Sequence, residues 1–156
     1  MLPRPIAFAL AVAVPLPAMA QDRVDRMEAI SEEMSQIMFE AMVEEAVKEG
    51  VDRDALNAAI PDTSWTPEMR DAGACVLQEY EDVVGSDEVL AMLDRMEAVV
   101  PTLRDVSIED WEHIDDLEPA GLSEEQSMEI NQTCGMVELM MDMMMSSDFM
   151  SVMMGG

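Results

Sequence analysis

Between residues 22 and 50, apolar side chains return every three or four positions. Met27, Ile30, Met34, Ile37 and Ala41 form one line, with Met38 and Met42 beside it, while Glu28, Glu32, Glu40 and Glu44 fall on the reverse side. A 3.6-residue period with a polar reverse face predicts an amphipathic helix of about 25 residues, stopped at Gly50. A short helix is expected over 52–60, before Pro61. Thr66-Pro67-Glu68 then supplies a cap, a proline for the first helical position and an acid for the first turn. The helix it opens carries Met69, Gly73, Val76, Tyr80 and Val84 on one face and closes at Gly85. Ser86-Asp87-Glu88 is read as the cap of another helix, with Val89, Leu93, Met96 and Val100 inward and Pro101 as its stop. Gly85-Ser86 is thus the corner of an antiparallel helix pair.

Residues 101–122 are less regular. Ser107 and Asp110 suggest a cap for a short helix around Trp111, and residues 118–121 read as a loop. Ser123 followed by Gln126 fits a capping box and opens a final long helix over 124–154, in which Gly135 is a bend. No stretch alternates with period two between turn signals, so strands are not expected. The pattern predicts an all-α fold, a small bundle of four to five helices in a single acidic domain.

The first twenty residues stand apart from this pattern. Arg4 precedes an apolar run from Ile6 to Leu16, and the stretch ends in Ala18-Met19-Ala20. That is the three-part form of a secretory signal peptide over 1–20, leaving a mature domain 21–156 in the periplasm or secreted. The run is too short to cross a bilayer, which needs roughly 20 apolar residues, so a stable membrane anchor is not expected. Losing Arg4 leaves seven Lys and Arg against thirty-four Asp and Glu, a formal net charge of −27 for the mature chain. Such a charge repels phosphate backbones and anionic lipid, and nucleic-acid binding is not expected. It serves solubility, and it attracts cations or basic partners.

Two cysteines in an exported chain suffice for one bridge. Stepping 100° per residue, Cys75 falls about 130° from the centre of its helix's apolar face, where a merely hydrophobic cysteine does not belong. Small neighbours Ala72, Gly73 and Ala74 let another segment approach. The expectation is a disulfide between Cys75 and Cys134, with free thiols or a metal-binding pair as the alternatives. Redox catalysis is not expected, because no C-x-x-C is present.

From Met136 to Met145 the helical pattern changes character. Apolar residues run almost all the way round, and only Glu138 and Asp142, with Asn131 a turn earlier, leave a polar stripe. Such a helix is either central in its fold or meets something else. Three readings follow. Methionine can fill irregular gaps in the core, as it does along the first helix. Alternatively Met136, Met140, Met141, Met143 and Met144 form an adaptable docking surface for another protein that combines apolar and basic patches. Or Met136, Met140, Met143 and Met144 supply thioethers to a soft ion, Cu(I) or Ag(I).

Other chemistry is thin. The single histidine, His113, stands four residues after Glu109, a pair able to share a cation, although a solvated surface histidine is the simpler reading. Acids in 115–125 miss the alternating positions of a calcium loop. Asn131-Gln132-Thr133 matches a glycosylation acceptor but lies within a helix. No phosphate loop, zinc motif or nucleophile elbow is present, and no cofactor is implied. The function expected from the sequence is therefore non-enzymatic: an exported interaction or structural module working through its methionine-rich end, with soft-metal binding as the alternative.

Overall fold

The structure is a computed structural model that describes residues 16–107, 110–111 and 117–154; His113, Glu109 and the first fifteen residues lie outside it. The described residues form seven α-helices and no strand. They are α1 (Leu16–Lys48), α2 (Arg53–Ala59), α3 (Pro67–Val84), α4 (Ser86–Val99), α5 (Glu124–Thr133), α6 (Met136–Met145) and α7 (Phe149–Met153), with a 3-10 turn at Val100–Asp105 after α4. The all-α class is as expected. The helix number exceeds four to five because the final helix is divided into three.

Two residue-level causes divide it. At the α5–α6 junction Gly135 sits at φ +78°, in the left-handed region that ends a helix and that residues with a Cβ enter only at a cost. At the far end of α6 the hydroxyls of Ser146 and Ser147 donate to the carbonyls of Met143 and Met144 at 2.8 and 3.0 Å. These local bonds occupy carbonyls that a continuing helix would need, so the chain turns. The starts of α2, α3 and α5 follow their sequence signals, whereas α1 begins at Leu16, ahead of the stretch the spacing marks and within the segment read as a signal peptide. Asp52 accepts from the Ala55 N–H at 2.8 Å, Thr66 from the Met69 N–H at 3.2 Å, and the Ser123–Gln126 box is closed in both directions. One expectation is corrected. Ser86 does not cap α4; it is the first helical residue, Gly85 holds the cap position, and the Ser86 hydroxyl accepts from Arg23 at 3.3 Å. Helix α4 does end ahead of Pro101, at Val99, and the chain continues as the 3-10 turn, near whose start the proline's missing N–H breaks no bond.

Helix α1, 33 residues and roughly 50 Å at 1.5 Å per residue, is the spine. Its apolar residues form two faces. Val24, Ile30 and Ile37, with Met27 and Met34, pack against α3, α4 and the 3-10 turn in the main core, where Met69, Val76, Leu77, Val89, Leu93 and Leu103 meet them. Phe39, Val43 and Ala46 point nearly the opposite way and close a second, smaller core with Leu56 of α2 and Phe149 of α7. The Phe39 and Phe149 rings meet edge to face at 5.1 Å, an arrangement that aromatic quadrupoles favour. Helix α7 therefore returns to the last third of the first helix.

On the other side, α5 and α6 lie along α3. Three ties fix them. The Tyr80 hydroxyl bonds to that of Ser127 at 2.8 Å, in a buried pair. The Asn131 amide donates to Tyr80 at 3.0 Å and to the Ser127 carbonyl at 2.8 Å, which leaves that amide engaged rather than free as a glycosylation acceptor. Cys75 and Cys134 form the expected disulfide, their Cα atoms 5.7 Å apart and their positions 59 residues apart in sequence. A loop of that length contributes about 4 kcal/mol through the unfolded chain's lost entropy. The small residues beside Cys75 do admit a neighbour, but it is a side chain. The Trp65 ring lies where a Cβ on Gly73 would stand.

Candidate docking face of the methionine-rich helices

The orientation of α6 follows from its stripe. Glu138 and Asp142 need water, so the helix turns them outward, and the residues flanking them go with them. Glu138, Met141, Asp142 and Met145 are exposed, and Met141 and Met145 retain 57% and 79% of their accessible surface. The opposite face carries Met136, Leu139 and Met140, packed on the main core beneath α3. Met136 is a core residue, 2% exposed, with its methyl 3.6 Å from the position a Gly73 Cβ would take. Val137, Met143 and Met144 are half-buried as well, Met143 on the inward side one turn beyond Leu139.

The five methionines read as a docking set are thus distributed around the helix. Met136 is interior, Met140, Met143 and Met144 are half-buried, and Met141 faces solvent. Met145, absent from that set, is the most exposed of the large hydrophobic residues described. The four thioethers read as a soft-metal set do not share one outward face, since Met136 is enclosed by core. Among the described residues, no three or more His, Cys, Asp or Glu side chains come together in a way that could hold a metal ion.

Helix α7 continues the division. Phe149 is buried, Val152 and Met153 pack on the second core, and Met150 and Met154 are exposed, Met154 at 78%. The sequence pattern does not mark Phe149 as a site, although an aromatic followed by Val152 and Met153 at three and four residues is the signal of a short inward face. Beside α7, an open groove of about 410 Å³ is lined by Ala55, Ala59, Ile60, Ser147 and Val152.

The electrostatics are one-sided. All seven Lys and Arg residues among the described ones are engaged in ion pairs. Arg26 on α1 holds Glu97 and Asp94 of α4 at 2.7 and 2.6 Å, and these bonds raise the guanidinium's pKa. Arg70 of α3 reaches Asp25 and Glu28 of α1, Arg23 of α1 reaches Glu81, and Arg104 reaches Glu40. Arg53 grips Glu44 with two bonds of 2.5 and 3.0 Å. Glu88 accepts from the Ala120 N–H at 2.8 Å and from Arg95 at 2.9 Å. The carboxyls of Asp25, Glu44 and Glu88 are accordingly held below the ordinary range. The causes are the Arg70 bond at Asp25, the Arg53 bond at Glu44, and the Ala120 N–H followed by Arg95 at Glu88. None of these seven cations belongs to α5, α6 or α7.

No described helix is long and apolar enough to cross a membrane. Compared with known protein families, with curated proteins and with solved structures, the chain matches none of them.

Proposed function

We propose that the chain is an exported, non-enzymatic interaction module that docks a basic, apolar segment of another protein on the outward side of α6 and α7. One observation carries this reading. Of the six large hydrophobic residues exposed among those described, four are Met141, Met145, Met150 and Met154. Unbranched thioether side chains adapt their shape to a partner at little cost, which suits such a surface. Glu138 and Asp142 stand among them without a cation on their own helix, so the partner supplies the positive charge. Export is supported by the leader pattern of residues 1–20 and by the Cys75–Cys134 bridge, which persists in oxidising compartments.

The test uses a cationic amphipathic helical peptide of Leu and Lys, titrated into the mature chain and into a Met141→Asp, Met145→Asp variant. Purely electrostatic attraction to a chain of this charge tightens when two acids are added. Apolar docking instead weakens, by about tenfold for every 1.4 kcal/mol of binding free energy removed. Weaker binding by the variant supports the proposal, and unchanged or tighter binding overturns it. The second reading, a Cu(I) or Ag(I) site, is favoured by one observation only: Met141 and Met145 stand four apart on the same exposed face and present two thioethers to solvent.

A further inference from the structure

We propose that the outward methionines, Met128, Met141, Met145, Met150 and Met154, are a modification site for neutral two-electron oxidants. They are converted to sulfoxides while the fold is kept. The inference concerns sulfur chemistry alone and does not depend on docking. Four features of the molecule lead to it.

First, both cysteines are already joined and no free thiol remains, so the thioethers are the most readily oxidised sulfur in the chain. Second, methionine spans the whole range of exposure, with eight described residues half-buried between two extremes. Met69, Met92, Met96 and Met136 are enclosed in the main core, whereas the outward five keep between 42% and 79% of their surface. Third, the outward residues lie where a polar product costs little. A sulfoxide on a buried methionine breaks apolar packing, but one at Met141 or Met145 joins Glu138 and Asp142 on a face that already meets water. Fourth, α6 does not depend on those side chains for its position. Its inner residues pack on the main core, and the bridge at Cys134, next to Gly135, pins the corner from which it starts.

The reaction balances simply. With hydrogen peroxide, the sulfur lone pair attacks one peroxide oxygen, the O–O bond breaks, an S=O bond forms, and water leaves after proton transfer. Sulfur loses two electrons and the peroxide gains them. Hypochlorous acid reacts likewise and releases chloride and a proton. The mature charge of −27 repels anionic oxidants, so neutral ones are the class this surface admits.

The test treats the disulfide-intact mature chain with limiting hydrogen peroxide. It follows each methionine by peptide mass spectrometry and the fold by circular dichroism and thermal midpoint. The prediction is that Met145 and Met154 convert first, that the outward five are oxidised at least about tenfold faster than Met69, Met92, Met96 and Met136, and that the midpoint stays unchanged until the inner set reacts. A Met141→Leu, Met145→Leu, Met154→Leu variant should retain its midpoint and consume correspondingly less oxidant in the fast phase. Equal rates for the two sets, or unfolding in step with oxidation of the outward set, overturns the inference.

Discussion

Gly73 shows how a single residue sets the main core. It lies on the apolar line of α3, and the missing Cβ leaves the space that the Trp65 ring occupies, with the methyl of Met136 close by. Substitution of Gly73 by Ala forces the ring or the helix to move. The expected loss is about 1–3 kcal/mol, the usual range for overpacking, against the fraction of a kcal/mol that alanine otherwise contributes to a helix. Urea unfolding followed by tryptophan fluorescence measures it, and a variant as stable as the parent would contradict the placement of Trp65. The run of small residues in the sequence implies that something approaches this glycine. It does not reveal that the visitor is an aromatic ring from the preceding loop, because Trp65 lies outside every periodic stretch.

Among the elements, α1 is legible at its end but not at its start or in its use: it begins at Leu16, inside the stretch read as a signal peptide, and runs 33 residues where the spacing gives about 25. Its stop before Gly50 and one apolar line follow from spacing. Its second face is hidden, because Phe39, Val43 and Ala46 on the reverse side blur the amphipathic contrast on which such a reading rests. That face requires two covering segments far apart in sequence, α2 and α7, and nothing local predicts their meeting. Phe149 holds the arrangement together. Phe149→Ala removes the ring that meets Phe39 and should cost about 3–5 kcal/mol where the site is global, or release α7 alone where it is local. Hydrogen exchange separates the two. In either case the amides of 149–153 lose protection, and retention of full protection would show that α7 is not anchored through Phe149. The final helix looks continuous in its apolar spacing. Gly135 marks a bend in the sequence and proves a full break, whereas the break after α6, at Ser146 and Ser147, comes from hydroxyl bonding that apolar spacing does not report.

Across the whole molecule, arginine bridges and net repulsion oppose each other. The bridges join α1 to α3, α4 and α2 at hydrogen-bond distance, whereas most of the repulsion acts over longer spans that salt screens beyond about 8 Å at 0.15 M. Asp25, Glu44 and Glu88 have depressed carboxyl pKa values, so their contribution is complete above the unfolded value of about 4 and is lost as pH falls through the lower folded values. In 0.15 M salt the thermal midpoint should therefore decline below about pH 4; a midpoint that holds or rises down to pH 3 would mean that relief of repulsion outweighs the bridges. The fold class and the outward acidic stripe of α6 are legible from spacing within each helix, and the disulfide from there being only two cysteines, one of them off its helix's apolar face. The sides of α6 are less so, because methionine occupies both. The central claim is that this helix is sheltered by its own fold along one face and open along the other, and paired substitutions test it most directly. Chemical denaturation of Met136→Ala and Met141→Ala should show a loss of about 2–5 kcal/mol for the first and a change within about 0.5 kcal/mol for the second. Equal losses, or the larger loss at Met141, would contradict it.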